Sequence, residues 1–420
     1  MFTGKHCSKH FGRMKILFIH NYYPLQASGE DSVVDEERGM LESAGHEVML
    51  FSMKTREGGV LNLLYCGLCA IWNPVAYRKI RGILKNIQPD VVHCHNTFPL
   101  ISPSVYWACK KEKVPVVQTL HNFRLVCSNG LFLRESSVCE DCSGKRFPWP
   151  ALKYRCYRDS LLGSLAMVLM LWSHRMLGTF KNTVDRYIVL TDFAKQKFAD
   201  SGVIPVEKIT VKPNFISRPD RLNGEVPDIP NVPYALFVGR LCREKGADVL
   251  IEAWGRMLAQ STGMSNVDLL VVGDGPERGF LEAKAREMLR SLQMPAEKIR
   301  FGGHLPREQV LQLVSQARFM ILPSIWYEGF PMTIVEAFAC GTPMIASALG
   351  NMNSIIQDGE TGVFFKPGDA ESLAEKIIWA LTHQPSMVEM GVRARQVFDS
   401  NYTPEKNLGQ LIDIYRSVSG

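Results

Sequence analysis

At 420 residues the chain is longer than one hydrophobic core ordinarily organises, and its length points to two or three domains. Hydrophobic residues at 46% and charged residues at 21% are the proportions of a globular protein, with no low-complexity tract and no solenoid-period repeat. The net charge of +6 is modest and carries no concentrated polybasic run, which argues against a nucleic-acid binder.

The opening MFTGKHCSKHFGR is short and basic without an apolar centre, so it is not read as a secretory signal, and structure is expected from about Met14. KILFIHNYYP then reads as a strand running into a polar loop. SGEDSVVDEERGMLESAGHEVMLFS reads as a helix with Val33, Val34, Met40 and Leu41 on its apolar positions, Gly45 at its C-terminal cap, and a second strand after it. DVVHCHN, VPVVQTLHN, RYIVLTDFAKQKF and EKITVKPNF continue the alternation. The longest apolar run, Leu161 to Trp172, falls short of the roughly 18 residues needed to span a bilayer and is expected as a buried or interfacial helix. A segment rich in Pro, Asp and Asn sets the linker at 217–233. The alternation restarts with YALFVGRL, VDLLVVGDGP, KIRFGGHL, FMILPS, TPMIAS and GVFF. The expected organisation is α/β: an N-terminal Rossmann-like domain over 14–216 with a cysteine-containing insert at 127–156, and a second over 234–400. A final helix over 401–420 is expected to pack back toward the first domain.

Candidate chemistry gathers at the ends of the second set of strands. Arg240 and Lys245 follow Gly239 on the loop after YALFV, where two cations could neutralise a diphosphate, because ligands of open α/β sheets bind outside the carboxyl ends of strands. Gly273 and Gly275 flank Asp274 at the next strand end; a tight turn alone would explain them. EGFPMTIVEAF places Glu328 on a loop and Glu336 in the following helix. The amides of Gly329, Phe330, Pro331's neighbour Met332 and Thr333 lie around that helix N-terminus, where unpaired N–H groups favour phosphate. Taken singly, such charges are ordinarily solvated surface.

In this order and context, the half resembles the donor-binding domain of GT-B-fold glycosyltransferases, in the large retaining family 4 type that includes bacterial polysaccharide- and glycolipid-assembly transferases. The resemblance covers nearly the whole chain from Met14. It implies two Rossmann-like domains facing a central cleft, and transfer of a sugar from a nucleotide-diphosphate donor to a saccharide or lipid-linked saccharide, with retention. It implies that Arg240 and Lys245 hold the diphosphate, that Glu336 binds the ribose and that Glu328 faces the transferred sugar. Gly29 would bring backbone close to the donor phosphate, and His121 would contact the donor sugar and steady developing charge. His95 and Asn96 are weaker candidates for the acceptor side; His93 ends the same strand. One departure stands out: where the family has Gly-Gly followed by Glu, this chain has Gly350, Asn351 and Ser354. No Asp-x-Asp pair is present, so no cofactor is expected to be required for catalysis.

Cys127, Cys139, Cys142 and Cys156 enclose one C-x2-C pair and are candidate ligands of a structural zinc; buried or incidental thiols are the alternative. Eleven cysteines without a secretory signal suit a reducing cytoplasm. Peripheral contact with the inner face of the cytoplasmic membrane through Leu161–Leu177, with Trp172, His174 and Arg175 near its end, is a further expectation. A nucleotide-sugar epimerase and a zinc-stapled scaffold without catalysis are the competing readings.

Overall fold

The computed structural model describes residues 12–22, 29–55, 60–217, 232–260 and 266–419. Most of the basic leader, and 218–231 of the expected linker, lie outside the described residues. The chain falls into two compact units, one of Met1–Thr119, Ser173–Tyr187 and Ile412–Gly420, the other of Leu120–Trp172 and Ile188–Leu411.

The first sheet is built from β1 (Lys15–Tyr22), β2 (Glu47–Lys54), β3 (Val91–Cys94) and β4 (Val116–Leu120). A short antiparallel hairpin of β5 (Leu133–Arg134) and β6 (Ser137–Val138) lies within the cysteine-bearing segment. Two more strands of the first sheet follow, β7 (Arg186–Val189) and β8 (Ile209–Val211). The order is β2-β1-β3-β4-β7-β8. β1 pairs in parallel with β2 and β3, with Phe18 opposite both Leu50 and His93. Its run from Ile16 to Asn21 is buried throughout, as expected of a central strand covered on both faces. The helix Pro74–Ile87 begins cleanly because Asn73 accepts from the amides of Val75 and Ala76, and proline takes the position that needs no N–H.

The second sheet contains β9 (Tyr234–Val238), β10 (Asp268–Val272), β11 (Ile299–Gly303), β12 (Phe319–Leu322), β13 (Met344–Ser347) and β14 (Gly362–Phe365). Their order is β11-β10-β9-β12-β13-β14. The two-residue period of a strand divides the side chains between two cores. Ala235, Phe237, Leu269, Val271, Phe319 and Ile321 pack with Trp254 of the helix Ala247–Gln260 on one face. Leu236, Leu270, Val272, Met320 and Leu322 pack with Ile334 and Phe338 of the helix Met332–Cys340 on the other. Both sheets are therefore of the doubly wound α/β type.

That strand order reverses between β9 and β12, which pair directly. A reversal leaves the connections on either side diverging to opposite faces, so a crevice opens at the carboxyl ends of those two strands. The loops after β9 and β12 carry Arg240, Lys245 and Glu328.

Candidate active site

Glycines let the loops at this reversal approach each other. Gly273, at a φ of 135°, lies against Gly239, and a Cβ on it would collide with the Gly239 carbonyl. A Cβ on Gly275 would strike Leu241 in the same way. The Leu241 amide donates to Asp274 at 2.9 Å, so the Gly-Asp-Gly segment is a seat for the Arg240 loop as well as a turn. Gly246, at a φ of 67°, closes the loop over the Pro323 carbonyl.

Glu328 is almost fully buried. The Lys245 ammonium lies 2.8 Å from its Oε1, and the Ser324 hydroxyl donates to the same oxygen at 2.6 Å. Arg240 is exposed nearby in sequence. Gly329 follows Glu328, and a Cβ there would collide with the backbone carbonyl of His121. The structure thus brings His121, at the end of β4, to the loop that carries Glu328. Phe330 is buried in the second core. Pro331 precedes the helix Met332–Cys340, and no side chain caps its first amides. The helices beginning at Asp192 and Ala370 have such caps, from Thr191 and Asp369, whereas those beginning at Arg278 and Arg307, like this one, do not. An uncapped N-terminus keeps donors and positive dipole available to an anion. Glu336 lies in the second turn of this helix, mostly buried, with the Arg307 guanidinium 3.5 Å away.

Asn351, the departure noted in the sequence, ties two loops together. Fully buried, its amide donates to the carbonyls of Glu328 and Gly329, the latter at 2.8 Å, while the Thr191 hydroxyl donates to its Oδ1. One side chain therefore ties the start of the Asp192–Asp200 helix to the Glu328 loop. Gly350 beside it has a φ of 56°, and Tyr327 and Phe193 fill the space a side chain would need. Ser354 accepts from the Phe193 amide at 3.4 Å.

Three further partners carry no local signal in the sequence. The Lys197 ammonium lies 2.6 and 2.8 Å from the two carboxylate oxygens of Glu140, and the Tyr327 hydroxyl donates to Glu140 at 2.9 Å. Burial and the Glu140 carboxylate push the Tyr327 phenol up to about 12, so it remains a donor at neutral pH. Glu140 is inside the C-x2-C pair, and Tyr327 immediately precedes Glu328. Cys127, Cys139, Cys142 and Cys156 line one cavity of about 10 Å³. Burial pushes the Cys142 thiol up to about 12, with the other three cysteines adding to the shift.

The other candidates belong to the first unit. Gly29 is the exposed first residue of the helix Gly29–Ser43. His95 and Asn96 are buried at the end of β3. Asn96 donates to the Asn21 carbonyl at 3.0 Å, and Glu37 lies 3.6 Å from His95 Nε2. His93 Nδ1 is 2.7 Å from the hydroxyl of Tyr415, on the helix Pro404–Ser419, and its Nε2 is 2.7 Å from that of Thr119. His20 pairs with buried Asp31 at 2.7 Å. Among the described residues, Glu37, His93 and His95 are the group whose metal-competent atoms lie within 4.8 Å of one another.

Two family models meet end to end on the chain: Glycosyltransferase Family 4 matches residues 28–218 and Glycosyl transferases group 1 matches 224–397. The chain belongs to the family 4 glycosyltransferases. A phosphatidyl-myo-inositol mannosyltransferase of Mycobacterium leprae is 25% identical over 90% of this chain and 88% of its own length. A glycosyltransferase from Rickettsia africae shares the fold at a TM-score of 0.68 and 20% identity, covering 97% of this chain and 99% of that one. Anabaena HepE, solved in complex with UDP and glucose, does so at 0.65 and 17%, covering 96% and 100%. This glycosyltransferase therefore has the GT-B architecture of two Rossmann-like parallel-sheet domains, and among its described residues no helix is long and apolar enough to cross a membrane.

Proposed function

We propose that this family 4 glycosyltransferase moves a hexose from a nucleoside-diphosphate sugar to a saccharide or lipid-linked saccharide in cell-surface polysaccharide or glycolipid synthesis, with retention at the anomeric carbon. The observation that carries the reading is the group at the β9/β12 reversal: Lys245 against Glu328, beside an uncapped helix N-terminus and exposed Arg240. A diphosphate there would draw on two cations and on aligned backbone amides at once. Glu336 would take the ribose hydroxyls and Glu328 the sugar.

In the proposed reaction the acceptor hydroxyl oxygen bonds to the anomeric carbon as the bond to the diphosphate oxygen breaks on the same face. The hydroxyl proton passes to that departing oxygen. Negative charge grows on the diphosphate, and Arg240, Lys245 and the helix amides are placed to stabilise it. His121, held against the Gly329 loop, would steady the positive charge developing on the sugar ring. HepE with UDP and glucose supports a nucleotide donor, and the mannosyltransferase of M. leprae supports a lipid acceptor. Leu161, Leu162, Leu165, Trp172 and Met176 are exposed on the helix Leu161–Met176, which supports peripheral membrane contact.

The test is a panel of UDP-, GDP- and ADP-sugars, read by thermal shift and by the mass and anomeric NMR signal of the product. One nucleotide class should stabilise the wild type by mass action, and Glu336→Ala should lose that stabilisation. An inverted product removes retention; no response to any nucleotide sugar removes the donor assignment.

A further inference from the structure

The segment from Cys127 to Cys156 is anchored by one fully buried aromatic, Phe132, against Phe123 and Tyr327, and has little regular structure besides. Its regular structure is the two-residue pair β5 and β6 and the four-residue helix Pro150–Lys153. Its own apolar cluster is Cys142, Ala151 and Val168, with Leu152 and Cys156 at the edge. Phe132, Glu135 and Arg155 all hold φ near 50°, a backbone region that side chains disfavour. Such a chain needs some other constraint to keep a single conformation.

The four cysteines surround one small cavity, about the volume one water or ion occupies. Cys127 opens a tight turn in which the Gly130 amide donates to the Cys127 carbonyl at 2.9 Å. The Asn129 side chain fixes this turn by accepting from the Leu131 amide at 2.9 Å and donating to the Leu133 carbonyl at 2.8 Å. Arg134 and Asp141, ion-paired to each other, line the same cavity. The cysteine sulfurs are not drawn as close as the Glu37, His93 and His95 group, and the Cys127 thiol turns to Asn129 Oδ1 at 2.9 Å. The histidine group, however, has both ring nitrogens of His93 occupied by Tyr415 and Thr119.

We propose that Cys127, Cys139, Cys142 and Cys156 hold one structural zinc ion, and that the metal fixes Glu140 where it binds Lys197 and Tyr327 beside the Glu328 loop. Four thiolates in a tetrahedron are a closed zinc site with no position left for substrate. Binding exchanges four thiol protons for one Zn²⁺ and leaves a net charge of −2 on the site, with no change of oxidation state. Binding draws the four sulfurs inward around the ion, with Cys127 turning away from Asn129. Because Glu140 lies between two ligands, the metal sets the position of a carboxylate that reaches the donor-side loop.

The full-length protein, purified without added metal or chelator, is analysed for zinc, iron and acid-labile sulfide. The expected result is one zinc per chain in the wild type and in Cys66→Ser/Cys340→Ser, with none in Cys139→Ser/Cys142→Ser. Because the last variant could fail to fold, the wild type is also exchanged with cobalt(II), and sulfur-to-cobalt charge-transfer and tetrahedral visible bands are expected. Zinc removal should speed amide hydrogen exchange at 136–146 and also at 324–330. A metal-free wild type without cobalt bands, iron with sulfide, or zinc retained by Cys139→Ser/Cys142→Ser overturns the site. Zinc whose removal leaves exchange at 324–330 unchanged overturns its link to the Glu328 loop.

Discussion

The two sheets both reverse their strand order, yet the strand ends at the two reversals are used differently. At the first, between β1 and β3, His20, His93, His95 and Asn96 are all buried; a carboxylate, hydroxyls and a carbonyl hydrogen-bond to His20, His93 and Asn96, and His95 Nε2 faces the Glu37 carboxylate at 3.6 Å. At the second, between β9 and β12, Arg240 is exposed, Lys245 is half-buried, and a helix begins without a cap. Buried polar groups must be paired within the protein, and once paired they rigidify the fold. Groups left partly open keep a capacity for a ligand. The contrast teaches that a histidine at a strand end signals a ligand site only where its surroundings leave it something to bind.

Several substitutions would break or sharpen that contrast. The largest effect is expected from Lys245→Ala, which strands the nearly buried Glu328 and, on the proposed reading, removes a diphosphate partner; kcat/KM for the donor should fall about 10²–10³-fold. Gly329→Ala should come next, because its methyl group meets the His121 carbonyl and pushes two loops apart. A displacement of that size costs on the order of 10²-fold in rate, and the clash of backbone on side chain lowers stability by about 1–3 kcal/mol, as kinetics and melting together would show. Asn351→Ala leaves the Glu328 and Gly329 carbonyls without their donor, and denaturant unfolding should show a loss of about 2–3 kcal/mol.

The smallest effect is a pH slope in the first unit. Burial holds the His174 pKa below the usual 6.5. As pH falls through 6.5 the unfolded chain takes up this proton before the folded one, so stability declines on acidification. His174→Gln should flatten that slope between pH 7 and 5 in urea melts. An unchanged slope would assign it to the other buried histidines of this unit.

The fold was legible because its signals are local. Apart from β13, the strands of the second sheet are short runs ending at Gly, Pro or a charged residue, and their alternation with helices orders them into a parallel sheet. The positions of Arg240, Lys245, Glu328 and Glu336 were legible for the same reason, each being fixed by its distance from a strand end. Asn351 was visible as a departure from the family pattern, but its partners Thr191, Glu328 and Gly329 are remote in sequence. Glu140, Lys197 and Tyr327 had no local signal at all; only tertiary structure brings residues 140, 197 and 327 together. Burial of Asp31 and Glu37 on the apolar face of an otherwise ordinary amphipathic helix was equally hidden, because it depends on histidines from other strands.

The most direct test of the central claim is calorimetric titration with a nucleoside, its monophosphate and its diphosphate, using the base that the sugar panel selects. If Lys245, Arg240 and the helix N-terminus form the diphosphate seat, the diphosphate should bind at least about tenfold more tightly than the nucleoside, a difference of about 1.4 kcal/mol, and Lys245→Ala should abolish most of that gain. Equal affinity for the three ligands, or a diphosphate gain that survives in Lys245→Ala and Arg240→Ala alike, would contradict it.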